Sequence, residues 1–183
     1  GHTIYKSYLT KNYTNIHLVN TNSKFTSTTR DYCNQLIDKL KIKKYEIIEI
    51  HNRPQVFFLL KKKLLSKYIL YFHNDPLSMK GSKSINDRKK LLADATKIIF
   101  NSHWSRKRFL EGIEGLNINS EKMNVIYQST SRAKVNINKK KNWITFVGKL
   151  NRAKGYDLFG KAVLKILKKY KTWKAIVIGD EQR

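Results

Sequence analysis

An α/β fold built on a parallel sheet is what this sequence predicts, and three observations carry that expectation. Short β-rich apolar runs alternate with helical segments of about ten residues, the pattern of βαβ units. Three of the runs stop abruptly in polar residues: "IIEIHNRP" at 47–54, "ILYFHNDP" at 69–76 and "KIIFNSHWS" at 97–105. The chain of 183 residues is 40% apolar, enough for a packed core at the upper end of single-domain size.

In order along the chain, "NIHLVN" at 15–20 alternates like a strand, and Cys33, Leu36, Ile37 and Leu40 form a stripe at helical spacing. "YEIIEI" at 45–50 predicts the next strand. Pro54 suits the first turn of a helix running through "QVFFLLKKKLL". "KYILYF" at 67–72 is a strand, followed by a polar loop and a helix from about Ile85 to Ala95. "KIIF" at 97–100 precedes a helix from Ser102, a suitable N-cap, to Glu111, and "KMNVIYQ" at 122–128 is a further strand. Residues 129–142 are polar, lysine-rich and aperiodic, and read as a linker between a domain over 1–128 and a second unit over 143–183. In that unit "WITFVGKLNRAKG" is a strand and glycine turn, Phe159, Ala162, Val163, Ile166, Leu167 and Tyr170 form a helix stripe, and "WKAIVIGDEQR" is a strand stopping at Gly179. A βαβ unit of that size cannot bury both faces of its own sheet.

Charge is the strongest compositional signal, 38 Lys and Arg against 13 Asp and Glu, a formal net +25. Such a field attracts nucleic acid, anionic membrane or phosphorylated ligands. It is equally the solvated lysine coat of a chain rich in Asn and Ile. Arginine, the better base reader, is scarce, and no RNP-like motif, Cys/His finger or helix-turn-helix is present, so no specific nucleic-acid partner is expected. "LLKKKLLSK" at 59–67 offers either an amphipathic contact with an anionic membrane or an ordinary helix packed on the sheet. No apolar run is long enough to span a bilayer and no signal peptide opens the sequence, which gives a cytoplasmic reading, with peripheral contact at the inner face of the membrane as an addition. The single cysteine, Cys33, fits a buried structural thiol.

Ligands of parallel α/β sheets bind outside the carboxyl ends of the strands. His51-Asn52, His73-Asn74-Asp75 and Asn101-Ser102-His103 all fall there. The alternatives are a polar ligand site and simple satisfaction of backbone groups at strand ends. The histidines are spread over three strands with only Asp75 nearby as a carboxylate, so no metal is expected. In "FVGKLNRAKG", Gly148 ends a strand and Lys149 and Lys154 lie in the loop before a helix, an arrangement suited to a phosphate although it is neither Walker A nor a Rossmann fingerprint.

The succession of these stretches resembles the retaining GT-B glycosyltransferases that use nucleotide sugars, the family-4-like "glycosyl transferases group 1", from about residue 45 onward. The resemblance implies Rossmann-like parallel sheets with helices on both faces: an incomplete GT-B N-terminal domain followed by the first βαβ of a second Rossmann-like domain. The family's Phe-x-Gly-Arg-Leu, three variable residues, then Lys-Gly, is matched by "FVGKLNRAKG". Its Arg and Lys hold the donor diphosphate, which assigns Gly148, Lys149 and Lys154 to that role, with Lys149 keeping the charge of the usual Arg but not its bidentate fork. The family histidine matching His73 lies beside the transferred sugar and the acceptor. It implies His73 as the catalytic group on the acceptor side, with His51, Asn74, Asp75 and Ser102 binding substrate.

Implied with these roles are a nucleotide-diphosphate sugar as donor, a saccharide or lipid-linked acceptor as in cell-surface polysaccharide or glycolipid synthesis, and no cofactor. The sequence departs from the family in lacking a Gly-rich first strand, the two glutamates expected beyond "VIGDEQR" and the Asn-Gly often found near "IYQSTS". These departures read as a fragment, expected to bind a nucleotide diphosphate weakly and not to turn over. The alternative is a non-catalytic basic module that binds polyanions.

Overall fold

The computed structural model describes residues 27–42, 45–117, 119–132, 134 and 140–180. The strand expected over 15–20 lies outside them. The described residues divide into two compact units that part between Thr130 and Ser131.

In the first unit the elements run α1 (Thr28–Ile42), β1 (Ile47–His51), α2 (Pro54–Lys61), β2 (Lys67–Phe72), a 3₁₀ turn (Pro76–Ser78), α3 (Ile85–Asp94), β3 (Lys97–Phe100), α4 (His103–Leu110), a second 3₁₀ turn (Ser120–Lys122) and β4 (Met123–Val125). The four strands pair in parallel in the order β1-β2-β3-β4, so each connection is a crossover through helical segments. Register follows the apolar pattern. Ile50, Leu70, Ile98 and Met123 lie in one row across the sheet, and all four are buried. One step on, Phe72 and Phe100 pair and stack at 5.6 Å, and Phe109 from α4 tilts against both. Side chains alternate along a strand, so the opposite face carries Glu49 and Ile69, then His51, Tyr71 and Ile99. That alternation puts His51 and Tyr71 on one face.

Local chemistry sets the helix limits. Cys33 and Ile37 are the buried residues of α1, and burial pushes the Cys33 thiol up from its ordinary pKa, which keeps it protonated and inert. Pro54 sits in the first turn of α2, where its missing N–H costs nothing. The sequence extends α2 through Leu65, whereas the helix ends at Lys61. The Lys63 and Leu64 amides both return to the Leu60 carbonyl, closing the turn that lets Lys67 N–H reach Glu46 and open β2. Leu59 and Leu64 pack on the core around buried Leu60, Lys61, Lys62 and Lys63 are exposed, and Leu65 is fully exposed. Ser84 caps α3 by accepting the Asp87 N–H, and Ser102 caps α4 in a reciprocal capping box with Ser105. The strand expected over 122–128 is shorter, Met123–Val125, although Ile126 N–H still reaches the Phe100 carbonyl.

The second unit holds β5 (Trp143–Val147), a 3₁₀ turn (Arg152–Lys154), α5 (Tyr156–Lys169) and β6 (Lys174–Ile178), with β5 and β6 parallel. The described residues between β4 and β5 form neither helix nor strand. Phe146 meets Tyr156 and Phe159 of α5, each at 5.3 Å between rings. Val163 is the buried residue of the helix stripe, whereas Ile166 and Tyr170 stay partly exposed. Two strands are too narrow to cover a stripe spread over four turns. No helix among the described residues is long and apolar enough to cross a membrane.

Candidate functional site

The carboxyl ends of β1, β2 and β3 bring together the polar residues that close the three apolar runs. His51 is the last residue of β1, His73 follows β2 and Asn101 follows β3. His51 Nδ1 lies 2.7 Å from His73 Nε2. Period-two alternation aims Glu49 with His51 and Tyr71 with His73, and the register pairs His51 with Tyr71. Three rings therefore stack: Tyr71 on His73 at 4.3 Å, His51 on His73 at 5.0 Å and His51 on Tyr71 at 5.4 Å, all within 12° of parallel.

Backbone geometry fixes this stack from below. Asn52 adopts a left-handed φ of 53°, a conformation Asn tolerates better than most residues. Its N–H bonds the Tyr71 carbonyl, and its Oδ1 accepts the His73 N–H at 2.7 Å. Asn101 Nδ2 donates to the His73 carbonyl at 2.7 Å. The residue that closes one strand is thus held by side chains from both neighbouring strand ends. Beyond β4, Gln128 Nε2 lies 2.7 Å from His73 Nδ1, and Glu49 Oε1 lies 2.9 Å from His51 Nε2. Both nitrogens of both imidazoles are therefore engaged. Burial first, and the neighbouring His51 charge second, push His73 below the ordinary histidine pKa, against upward pulls from the Gln128 hydrogen bond and Glu49.

The remaining expected residues are placed differently. Asn74 is exposed. Asp75 caps the 3₁₀ turn by accepting the Leu77 N–H at 3.0 Å and pairs with Arg108 at 3.1 Å, so its oxygens serve local structure. Ser102 accepts the Ser105 N–H at the start of α4 and touches Asn101 Oδ1 at 3.4 Å. His103 opens α4 and meets Tyr127 edge-on. Glu49, Tyr71 and Gln128 are what the sequence reading did not single out. Glu49 and Tyr71 stand two residues before the strand-end histidines, the spacing that shares a face, so their signal was available. Among the described residues, no group of three or more His, Cys, Asp or Glu is placed to hold a metal ion. On the outer side of β1, His51, Glu49, Arg53, Tyr32 and Thr28 line a cavity of about 570 Å³.

In the second unit Gly148 follows β5 and its N–H bonds the Ile178 carbonyl at the end of β6. Asn151 Oδ1 accepts the Lys154 N–H at 3.1 Å and holds the 3₁₀ turn. Gly155, at φ 74°, then turns the chain into α5 in a left-handed conformation. The first turn of α5 has no side-chain cap, and Lys149 and Lys154 are exposed. An uncapped helix start with two ammoniums in the preceding loop is chemistry that attracts an anion.

Residues 128–183 match the family model of "Glycosyl transferases group 1", a span that includes Gly148, Lys149 and Lys154. Solved structures of Anabaena HepE are similar to the chain. The structure with UDP and glucose matches with a TM-score of 0.67 at 15% identity over 97% of this chain and 51% of that one, and the structure with UDP-glucose with 0.67 at 14% over 96% and 50%. A structure of accessory secretory protein 1, 2 and 3 from Streptococcus pneumoniae matches with a TM-score of 0.54 at 8% identity, over 85% of this chain and 37% of that one. No curated protein matches the sequence. The chain spans about half the length of the HepE chains it matches. The likeness establishes the fold, a Rossmann-like parallel α/β arrangement of the GT-B type, and the family model meets the resemblance read from the sequence over 128–183.

Proposed function

We propose that this chain serves sugar transfer from a nucleotide-diphosphate sugar to a saccharide or lipid-linked acceptor. The observation that carries the reading is the match of residues 128–183 to glycosyl transferases group 1, because it falls on the loop of Gly148, Lys149 and Lys154. Support comes from the structural likeness to HepE, whose solved complexes hold UDP-glucose or UDP and glucose. In this reading the diphosphate meets the uncapped start of α5, and Lys149 and Lys154 stabilise the charge that grows on the leaving group. No metal or other cofactor takes part. His73 stands on the acceptor side, where His51 Nδ1 and Gln128 Nε2 hold its ring.

Synthesis of cell-surface polysaccharide or glycolipid at the cytoplasmic face of a membrane fits the net +25 charge, which would draw the protein to anionic headgroups. Calorimetry with uridine and guanosine diphosphates tests the donor half. Lys154→Ala should weaken nucleotide binding about tenfold, the loss of one charge-assisted contact. Equal affinity in wild type and variant would remove Lys154 from the site.

A further inference from the structure

Each helix of the first unit runs back to the amino end of the strand it precedes, so the ends of α1 and α2 and the starts of β1 and β2 lie at one pole of the sheet. Two hydrogen bonds draw the connections there together. The Ser66 hydroxyl donates to the Tyr45 carbonyl, and the Lys67 N–H to the Glu46 carbonyl, both at 2.8 Å. Large apolar side chains crown this pole without entering the core: Leu65 is fully exposed, Ile42 at the end of α1 is 83% exposed and Tyr45 is 44% exposed. The charge around them is one-sided. Four of the seven residues over 61–67 are lysine and none is acidic; all four are exposed, and Lys41 adds an exposed ammonium beside Ile42. Glu46 is the exposed carboxylate among the described residues of 41–47 and 61–67.

Neither the turn nor the core accounts for the apolar crown. The Lys63 and Leu64 amides close the turn on the Leu60 carbonyl, and Ser66 ties it to the neighbouring connection, so the Leu65 side chain serves neither contact. One exposed leucine would be ordinary. A leucine in a lysine turn, with an isoleucine and a tyrosine from the adjoining connection, combines the two elements that reversible adsorption to an anionic bilayer needs. Apolar groups enter the headgroup boundary, and ammoniums meet the lipid phosphates. The aliphatic groups also decide between polyanions, because a nucleic-acid backbone answers the ammoniums but leaves Leu65 and Ile42 in water.

We propose that this pole is a docking surface for an anionic lipid bilayer, with Leu65 and Ile42 at the headgroup boundary and Lys62, Lys63 and Lys67 among the phosphates. It lies at the opposite end of the strands from His51 and His73, a strand length of about 17–20 Å away, so docking leaves those ends open. The surface goes beyond the sugar-transfer reading and needs no nucleotide. It gives one place to the membrane attraction that the net charge alone would spread over the whole molecule.

Sedimentation of this chain with vesicles tests the surface, comparing pure phosphatidylcholine with equal parts phosphatidylcholine and phosphatidylglycerol. Wild type should bind the mixed vesicles and not the neutral ones. Leu65→Ser removes a fully exposed side chain and should weaken that binding about tenfold with the fold intact by circular dichroism. The pair Lys62→Gln and Lys63→Gln should weaken it roughly 30-fold. Lys80→Gln with Lys83→Gln removes the same charge from the loop beyond β2, at the other pole, and should cost only a few-fold. Equal losses from the two lysine pairs, or binding indifferent to Leu65→Ser, overturn the docking surface while leaving a general attraction to anionic membrane in place. Mixed vesicles that bind nothing at low salt remove both. A Leu65→Ser variant that lost affinity for mixed-sequence DNA as steeply as for vesicles would assign the surface to nucleic acid instead.

Discussion

A Cβ placed on Gly179 would lie 1.8 Å from the Gly148 carbonyl oxygen, so the strand ends of β5 and β6 approach as closely as two bare backbones allow. Gly179 also has a φ of 155°, at the edge of the range L residues rarely adopt. The obstacle is backbone rather than a movable side chain, so Gly179→Ala must shift one strand end. The expected cost is on the order of 1–3 kcal/mol or more, with weaker nucleotide binding if the loop that Gly148 opens takes the diphosphate as proposed. Gly160, inside α5 with nothing near its missing Cβ, is the control. There Ala should stabilise by roughly 0.5–1 kcal/mol through helix propensity. Limited proteolysis of both variants reads the difference, and equal resistance would refute the close approach.

Arg88 is the residue whose role the sequence concealed most. It is 3% exposed, and its Nη1 donates to the carbonyls of Phe109 at 2.5 Å and Glu111 at 2.6 Å, which fastens α3 to the end of α4. Phe109 in turn closes the aromatic cluster with Phe72 and Phe100. Arg88→Ala would leave two carbonyls without their donor and a void beside that cluster. A loss of about 2–4 kcal/mol is expected from denaturant unfolding. Arg88→Lys should recover only part, because both bonds come from Nη1 and the shorter lysine side chain does not carry its ammonium as far.

Periodicity exposed most of the fold and the strand ends, but not the division of labour there. Runs such as "ILYF" state their own alternation, and a polar break after each marks a carboxyl end. That was enough to bring His51 and His73 forward as one site. Which polar residue serves a ligand and which serves the backbone depends on partners distant in sequence. Asp75 reads like a ligand group until Arg108, thirty-three residues away, is seen against it. Gln128 is silent for the same reason, since its contact with His73 spans fifty-five residues. The end of α2 was hidden because "LLKKKLL" keeps helical periodicity while β2 requires the chain to turn back.

The +25 charge makes a prediction of its own. Binding to mixed-sequence DNA should be non-specific, with log affinity falling linearly and steeply as log salt rises. Fluorescence anisotropy from low to physiological salt checks it. A sequence preference that persisted at high salt would make nucleic acid the primary partner and displace the sugar-transfer reading.

Asp75 makes stability depend on acid in a way that Asn can isolate. Burial by itself would push its carboxyl up, but the Arg108 hydrogen bonds, the Leu77 amide and the Arg108 charge outweigh it and hold the group below the ordinary carboxylate value. A folded pKa below the unfolded value of about 3.9 means the stabilising contribution is complete above that value and fades as pH falls through the folded one. Asp75→Asn keeps an oxygen for the Leu77 N–H, since Asn caps nearly as well as Asp, and removes only the ion pair. The variant should be less stable than wild type at neutral pH, with the gap closing in acid as the wild-type carboxyl protonates. The pair is partly exposed, so added salt should narrow the gap as well. Urea midpoints measured from pH 7 to pH 3 give both curves. A gap that stayed constant to the lowest pH would show that the difference does not come from the Asp75 charge.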